Sequence, residues 1–423
     1  MKRFLSIAAL LFATLSAGSF VPLKANAQDL SGARGLDPIG LYTFFNTLQS
    51  EAMKEGEPEE QKLAPVITAL DVASDPVTGK TIFYVGGDAP NLYYRNVKDV
   101  ERLVKGVAVP KEEGKGKYGV VPTTTNMAQV DDWIRAIAVN PATAEVATLT
   151  QRGQVVIWDP SCSEQVKVFE AKGINGAHAM KFSPNGKILA VCGFNNNLRF
   201  YGYLKEGASF TGSDFEEIDA AWPLSSRSCT TLDFYSDRDP ATGLCTSTLL
   251  AVGGRETAEI WDVVNGASLG EFRLTNQNGG VPRRVRAVAF SPDGKRLAVA
   301  GDADQIQIWD VASSKLVSSV SLSNRDAQKQ GGVSRRIFSM TFIDNNTLAT
   351  GDSVNDVIVW DVASGRATRQ GKGLKQNETK SDRIAHSGTV ASLVYVENPK
   401  DDTAPRSLLT GGFDTLVIRW KLP

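Results

Sequence analysis

Short runs of apolar residues, each ended by turn-forming residues, recur along the chain from about residue 65 to residue 423. The clearest copies are VRAVAFSPDGKRLAVAGDADQIQIWDVAS at 285–313 and IFSMTFIDNNTLATGDSVNDVIVWDVAS at 337–364. In each copy a first apolar run meets a turn rich in Pro, Asp, Asn or Gly, a second run follows, and a third run ends in an aromatic residue. Short strands separated by turn residues in this way indicate antiparallel β-hairpins and not helices.

The internal spacing of the copies is constant. The start of the second run and the closing aromatic residue are 12 positions apart in Ile82/Tyr94, Val146/Trp158, Leu189/Tyr201, Leu249/Trp261, Leu297/Trp309, Leu348/Trp360 and Leu408/Trp420. Seven copies in one register predict seven repeats of one structural unit. Because a single sheet cannot bury both of its faces, the copies must pack on one another, and a closed ring leaves no end copy exposed.

Four of the copies end in Trp-Asp, at 158–159, 261–262, 309–310 and 360–361. Together with the turns SPNGK at 183–187 and SPDGK at 291–295, these dipeptides resemble the signature of WD-repeat β-propellers. The resemblance covers about residues 65–423. It implies an all-β fold, a seven-bladed propeller of four-stranded antiparallel sheets.

The resemblance also assigns roles to single residues. In that family a His before the first strand, a Ser or Thr on the second, an Asp in the next turn and a Trp on the third form a hydrogen-bond network. The last copy matches these positions with His386, Thr410, Asp414 and Trp420. The Asp position is held by Asp88 in the first copy and by Arg152, Asn195, Arg255, Ala303 or Val354 in the others, so most copies depart from the pattern.

The first residues have the form of a targeting signal. Lys2 and Arg3 precede an apolar run at 4–17, and a polar stretch then ends in Ala-Asn-Ala at 25–27. This order predicts a secretory signal peptide at 1–27 with cleavage after Ala27. We therefore expect an exported, bacterial member of the family that acts in the periplasm or outside the cell. No other segment approaches ~20 apolar residues, so no membrane span is expected.

Residues 28–64 are predicted to be a helix and a linker before the propeller at 65–423. Asp37-Pro38 is a favourable helix start, Gly56 a favourable stop, and one helical face collects Leu41, Phe45, Leu48 and Ala52. The last copy ends at its third strand, so it needs an outer strand from elsewhere. The end of the linker, about residues 57–63, is the predicted closing strand.

Composition removes several classes of function. Lys and Arg total 46 and Asp and Glu total 47, so no overall basic charge points to nucleic acid. With only His178 and His386 and no CxxC pattern, we expect neither a metal site nor another cofactor. Export permits disulfides. The four cysteines, Cys162, Cys192, Cys229 and Cys245, allow three full pairings, and the sequence does not choose among them.

Arginines are concentrated in two sets of connections that a propeller brings to one face: the turns after the second strands and the loops leading into the first strands. They are Arg135, Arg152, Arg227, Arg255, Arg283, Arg284, Arg286, Arg335, Arg336 and Arg383. A cationic face on a chain with net charge −1 favours an acidic partner. The alternative is that these arginines pair with neighbouring acids and only solvate the rim.

The sequence therefore predicts a non-enzymatic platform that binds a protein or peptide partner outside the cytoplasm through an arginine-rich face. Two alternatives stay open. The central channel could serve an enzyme or a small-molecule or metal-binding propeller, or the N-terminal helix could be the docking element. No nucleophile and base are spaced as a catalytic pair, and the network explains His386 without catalysis.

Overall fold

The computed structural model describes residues 23–24, 33–43, 66–74, 81–96, 126–174, 176–194, 198–203, 215–218, 224, 228–238, 245–276, 279–322, 335–374, 385–397 and 406–423. Every regular element in these ranges is a β-strand, and the strands form seven sheets. The predicted all-β, seven-bladed propeller is confirmed. Among these residues, no helix has the length and apolar character needed to cross a membrane.

Three strands precede the first blade: β1 (Leu23–Lys24), β2 (Arg34–Gly35) and β3 (Asp37–Thr43). Blade 1 follows as β4 (Ile67–Ser74), β5 (Thr81–Gly87), β6 (Ala89–Asn96) and β7 (Asn126–Gln129). Blade 2 is β8 (Ile134–Val139), β9 (Val146–Thr150), β10 (Gln154–Trp158) and β11 (Gln165–Glu170). Blade 3 is β12 (Ala177–Phe182), β13 (Ile188–Gly193), β14 (Leu198–Tyr203) and β15 (Phe215–Ile218).

The second half repeats the same plan. Blade 4 is β16 (Thr231–Arg238), β17 (Cys245–Gly253), β18 (Thr257–Asp262) and β19 (Ala267–Arg273). Blade 5 is β20 (Val285–Phe290), β21 (Arg296–Gly301), β22 (Gln305–Asp310) and β23 (Lys315–Ser321). Blade 6 is β24 (Ile337–Asp344), β25 (Thr347–Asp352), β26 (Val357–Asp361) and β27 (Arg366–Gly371). Blade 7 is β28 (Val390–Val396), β29 (Ser407–Gly412) and β30 (Leu416–Lys421), with β3 as its outer strand.

The ring is closed. The first strand of each blade contacts the first strand of the next, and β28 contacts β4. The hydrophobic core is therefore divided into layers between neighbouring blades; Trp360, for example, packs with Ile306 and Phe342 between blades 5 and 6. Each layer thus covers one face of each of two neighbouring sheets in the described part of the chain.

The closing strand differs from the prediction. β3 (Asp37–Thr43) pairs antiparallel with β30 and completes blade 7. The expectations of a helix over this segment and of a closing strand at 57–63 are therefore wrong. The apolar spacing of this segment suggested a helical face, but its backbone is extended. Pairing with the open edge of blade 7 satisfies the backbone N–H and C=O groups that a lone helix would satisfy internally. The rest of the predicted helix, and residues 57–63 themselves, lie outside the described residues.

The N-terminal segment also follows the outside of two other blades. β1 pairs in parallel with β23 of blade 5, and β2 pairs in parallel with β27 of blade 6. Leu36, which lies between β2 and β3, is buried and donates its backbone N–H to the Gln370 carbonyl at 3.0 Å. β1 falls inside the predicted signal peptide.

The spacing of 12 corresponds to direct cross-strand pairs in five blades, for example Leu297 with Trp309 and Leu348 with Trp360. In blade 4 Trp261 pairs with Leu250 instead, and in blade 1 Tyr94 pairs with Tyr84. The regular spacing along the chain thus conceals register shifts in two blades.

The repeated SPDGK turn shows why its residue types recur. The Ser291 hydroxyl oxygen accepts the Arg296 N–H at 3.0 Å, and Asp293 accepts the Lys295 N–H at 3.1 Å. Gly294 has φ 68°, in the region that favours glycine. The SPNGK turn at 183–187 repeats this arrangement, so each turn fixes the register of the hairpin that it joins.

One disulfide is present in the described residues. Cys192 at the end of β13 and Cys229 before β16 are bonded, with their Cα atoms 5.7 Å apart, which links blade 3 to blade 4. This is one of the pairs that the sequence allowed. Cys162 is a buried free thiol, and burial is the main reason why its pKa rises to about 12.

Candidate functional site

Two sets of connections meet on one face of the ring, which we call the upper face. The turn after the second strand lies beside the segment that leads into the first strand of the same blade. Backbone N–H groups of Gln151, Asp302 and Ser353 donate across this junction to carbonyls of Trp133, Arg284 and Arg336 at 2.9 to 3.0 Å. The predicted arginines lie in or beside these connections, with Arg135 and Arg286 on first strands, and Arg227 and Arg383 lie outside the described residues.

The arginines on the upper face are not equivalent. Arg255, Arg283, Arg284 and Arg336 are exposed, and none of them forms an ion pair within the described part of the chain. Arg152 is 86% exposed and lies 3.7 Å from Asp132, a contact that water largely screens.

Two other arginines are engaged with acids. Arg286 donates to both carboxylate oxygens of Asp302, at 2.5 and 3.4 Å. Arg335 is largely buried and forms ion pairs with Asp352 and, at 2.8 Å, with Asp356. The alternative, pairing with neighbouring acids, therefore describes both Arg286 and Arg335, and the side chain of Arg335 serves the interior of blade 6.

The central channel is lined by the first strands of all seven blades and encloses a cavity of about 460 Å³. These strands share a six-residue pattern, for example IRAIAV in blade 2 and VRAVAF in blade 5. Its fourth positions form an apolar ring around the channel: Leu70, Ile137, Met180, Leu232, Val288, Met340 and Leu393. Its second positions, including Arg135, His178 and Arg286, lie above this ring, toward the upper face.

We call the opening of the channel on the upper face the channel mouth. It contains Arg135, Arg284, Arg286 and His178, from blades 2, 5 and 3. Burial lowers the pKa of His178 below 6.5, and the charges of the three arginines lower it further. His178 is therefore neutral at pH 7, and the positive charge of the channel mouth comes from the arginines.

Each of these arginines lies over an aromatic ring. The guanidinium carbon is 5.7 Å from the ring centre of Trp133 for Arg135, 5.4 Å from Phe194 for Arg284 and 4.5 Å from Phe338 for Arg286. Such cation–π contacts hold a guanidinium group near the face of the ring.

The aromatic side chains themselves are partly open to solvent. Trp133, Phe194 and Phe413 are 45%, 44% and 41% exposed, and Phe413 packs edge-on against Phe338. Exposed aromatic residues together with arginine are the composition that protein interfaces favour.

Deeper in the channel, the fifth positions of three first strands place Asp71, Lys181 and Asp233. Lys181 donates to Asp233 at 2.7 Å, while the other oxygen of Asp233 accepts the Phe290 N–H at 2.8 Å. Burial opposes protonation of Lys181, but the hydrogen bond and charge of Asp233 and the charge of Asp71 raise its pKa overall. Burial raises the pKa of Asp71, against the hydrogen bond from Val139 and the charge of Lys181.

The four residues that the resemblance grouped in blade 7 meet. His386 Nδ1 lies 3.1 Å from both oxygens of Asp414, and Nε2 lies 2.7 Å from the Thr410 hydroxyl. Trp420 Nε1 donates to the same hydroxyl at 2.8 Å. Burial works to raise the pKa of Asp414, but the hydrogen bond and charge of His386 lower it overall. Since His386 and Trp420 are buried, this network ties the blade together and does not reach a ligand.

Parts of this network recur elsewhere. The indole N–H donates to a Thr hydroxyl at 3.1 Å in blade 2, between Trp158 and Thr148, and at 2.9 Å in blade 6, between Trp360 and Thr350. In blade 6, where Val354 holds the position of Asp414, Arg335 instead forms ion pairs with Asp352 and Asp356. Within the described ranges, no group of three or more His, Cys, Asp or Glu side chains is placed to hold a metal ion.

These features define a seven-bladed β-propeller with an open channel mouth, and two of its segments match WD-repeat family models. The family model described as "WD domain, G-beta repeat" matches residues 163–202, and that of the "Anaphase-promoting complex subunit 4 WD40 domain" matches residues 248–345. The second match runs from β17 of blade 4 to the end of the first strand of blade 6. The chain therefore contains WD repeats.

Several characterised proteins are similar to part of the chain. "DDB1- and CUL4-associated factor 10" of Homo sapiens is 28% identical over 132 residues, 31% of this chain and 19% of that protein. "Cell division cycle 20.5, cofactor of APC complex" of Arabidopsis thaliana is 23% identical over 174 residues, 41% of this chain and 32% of that protein. "WD repeat-containing protein VIP3" of the same plant is 30% identical over 135 residues, 31% and 37% of the two chains. The matches thus span less than two fifths of each of these relatives.

Sequence reasoning found the arginines but missed the aromatic residues of the channel mouth and the charged group below them. Phe338 occupies the second position and Asp71, Lys181 and Asp233 the fifth position of the six-residue pattern. Aligning the seven first strands with one another would have shown that these residues point to a common axis. Phe194 and Phe413 follow the second strands, where a turn carries them upward.

Proposed function

We propose that this protein is a non-enzymatic interaction platform that acts outside the cytoplasm and binds an acidic protein partner through its upper face. The observation that carries the proposal is the channel mouth, where arginines lie over partly exposed aromatic rings. Its relatives support the general class, because two of them are named as an associated factor and a cofactor of other proteins.

Export rests on the sequence of residues 1–27, and the link between Cys192 and Cys229 supports it, because disulfides persist mainly in oxidising compartments. Cell fractionation and N-terminal sequencing test this part directly. We expect the protein outside the cytoplasm with Gln28 as its first residue. A protein that retains Met1 in the cytoplasm contradicts export and leaves the binding proposal to be judged separately.

Partner binding is tested by placing a photo-crosslinking amino acid at Val281, an exposed position on the upper face. Val264, which is 72% exposed in the turn between the third and fourth strands of blade 4, provides the matched control on the opposite face. We expect a partner to be captured from Val281 and not from Val264. Equal capture from both positions, or capture from Val264 alone, contradicts the proposal.

The contribution of charge is tested with a variant that carries Arg255→Glu, Arg283→Glu and Arg336→Glu. These side chains are exposed, so the changes should leave the melting temperature unaltered while reducing capture from Val281. Arg286 and Arg335 are kept, because replacing either would leave buried or half-buried carboxylates without their partner. Unchanged capture would show that the partner is not recognised by its negative charge.

The use of the channel by a metal or small molecule is the alternative. Metal analysis of the purified protein distinguishes it, because stoichiometric Ca²⁺ or Zn²⁺ would favour that alternative over the interaction platform.

A further inference from the structure

The charges of the channel mouth are only partly neutralised. Arg135 donates to the neutral amide oxygen of Gln151 at 2.5 Å, and Arg284 contacts Phe194 without an ion pair in the described residues. Arg286 is already paired with Asp302. Two guanidinium groups from blades 2 and 5 therefore line the opening of the channel without a carboxylate partner among the described residues.

Their geometry suits a carboxylate. Each guanidinium group lies over an aromatic ring, which restricts its motion. Arginine can donate two parallel hydrogen bonds to the two oxygens of a carboxylate, and charge-assisted bonds of this kind are the strong ones. Holding the donors in advance also reduces the entropy lost on binding.

The space below the arginines is apolar. The ring that includes Ile137, Met180, Val288 and Met340 lies under the channel mouth, and each of these side chains is at most 9% exposed. The cavity of about 460 Å³ falls within the range typical of ligand sites. An apolar side chain can enter the ring, whereas a charged group there would lose its hydration without a partner.

The lower end of the channel does not attract anions. Asp71 and Asp233 face the single ammonium group of Lys181, which already donates to Asp233. A carboxylate is therefore favoured at the channel mouth and not at the bottom of the channel.

We propose that the channel mouth binds a peptide segment in which a carboxylate neighbours an aromatic or aliphatic side chain, with the carboxylate on Arg135 and Arg284 and the apolar side chain in the ring below. This rests on the proposed function and narrows it to a subsite and a ligand chemistry. The carboxylate can be an internal Asp or Glu or the free carboxyl end of the partner.

The test uses the full chain and synthetic fluorescein-labelled peptides, with binding followed by fluorescence anisotropy. The reference peptide is Gly-Ser-Phe-Asp-Gly with a blocked carboxyl end. A second replaces Asp with Asn, a third replaces Phe with Ser, and a fourth is Gly-Ser-Gly-Phe with a free carboxyl end. We expect the Asn and Ser peptides to bind at least tenfold more weakly than the reference. The first and fourth peptides then show whether an internal or a terminal carboxylate is preferred.

Two neighbouring arginines give a matched pair of variants. Arg284→Gln should weaken binding of the reference peptide about 10- to 100-fold, the usual contribution of a charge-assisted hydrogen bond. Arg283→Gln changes an exposed arginine that does not line the channel and should leave the affinity unchanged. Arg135→Gln should act like Arg284→Gln, and all three variants should melt at the wild-type temperature.

The inference is overturned if no peptide binds, if the Asn peptide binds as well as the reference, or if Arg284→Gln behaves like Arg283→Gln. A failure of the wider proposal, that the upper face binds a partner, can be distinguished from a failure of this inference, because crosslinking from Val281 does not depend on the channel. Capture that persists in Arg284→Gln, with no peptide binding, removes the subsite and retains the interaction platform.

Discussion

In blade 6, the contribution of the hydrogen bond between tryptophan and threonine to the free energy of unfolding can be measured. Thr350 is fully buried, and its hydroxyl accepts the indole N–H of Trp360 at 2.9 Å. Thr350→Val keeps the shape of the side chain but leaves that N–H buried without a partner. The cost of an unpaired buried donor is about 1–3 kcal/mol. We expect the free energy of unfolding to fall by about that amount.

Blade 5 supplies the reverse experiment. Trp309 Nε1 is buried and has no hydrogen-bond partner in the described residues, and Val299 occupies the position that corresponds to Thr350. Val299→Thr places a hydroxyl at that position and should stabilise the protein by about 0.5–1.5 kcal/mol, the net value of one hydrogen bond.

Urea unfolding of both variants and the wild type, followed by tryptophan fluorescence and circular dichroism, provides the measurement. The midpoint should move in opposite directions with an unchanged slope, because the surface exposed on unfolding is the same. If Thr350→Val is as stable as the wild type, the hydrogen bond does not stabilise the blade. If Val299→Thr is less stable, the desolvation of the new hydroxyl outweighs the bond, and the two blades are not equivalent at this position.

Three further changes test other parts of the fold. Burial and the nearby Asp356 raise the pKa of Asp352 from 3.8 to about 6 despite Arg335, so the native state holds this proton more tightly than the unfolded state. Asp352→Asn should therefore gain stability relative to the wild type as pH rises from about 4 to about 7. The total gain should be about 3 kcal/mol, since one pKa unit is worth about 1.4 kcal/mol. If urea unfolding shows a stability difference that does not change with pH, this expectation is contradicted. Cys229→Ser removes the disulfide, which spans 37 residues, and should lower the free energy of unfolding by about 4 kcal/mol through the chain entropy of the unfolded state. Calorimetry of the oxidised protein and the variant would detect this loss. Equal melting temperatures would show that the bond is not formed. Leu36→Ala should cost about 2–5 kcal/mol if the N-terminal segment is packed as described, and an unchanged denaturation midpoint would contradict that packing.

The propeller itself was predictable because its signals are local and repeated. Turn residues such as Gly294 and closing aromatic residues such as Trp309 recur with each blade. The repeated pattern therefore predicts the strands even where the assignment of a single strand is ambiguous. The closing strand was not predictable in this way. Asp37–Thr43 is a single segment whose conformation depends on the open edge of β30, more than 370 residues further along the chain.

The candidate site was predictable only in part. Propeller topology places the loops before the first strands on one face, which located Arg135 and Arg284. The same residue type at Arg335 serves a buried ion pair, because Asp352 and Asp356 come close to it only after β25 and β26 have paired. Sequence spacing showed which loops carry arginine, but not which guanidinium groups remain available.

The pairing of β3 with β30 also sets the order of assembly. Residues 37–43 are synthesised before all seven blades, yet their partner at 416–421 follows every other strand of the ring in the described residues. Six blades can stack while blade 7 is still missing its outer strand, so the closing step pairs two strands that are farther apart in sequence than any other pair among the described residues. Since such distant pairings form slowly, the last sheet presents an open edge to other chains until this step is complete, and a chaperone that shields it would act at that time.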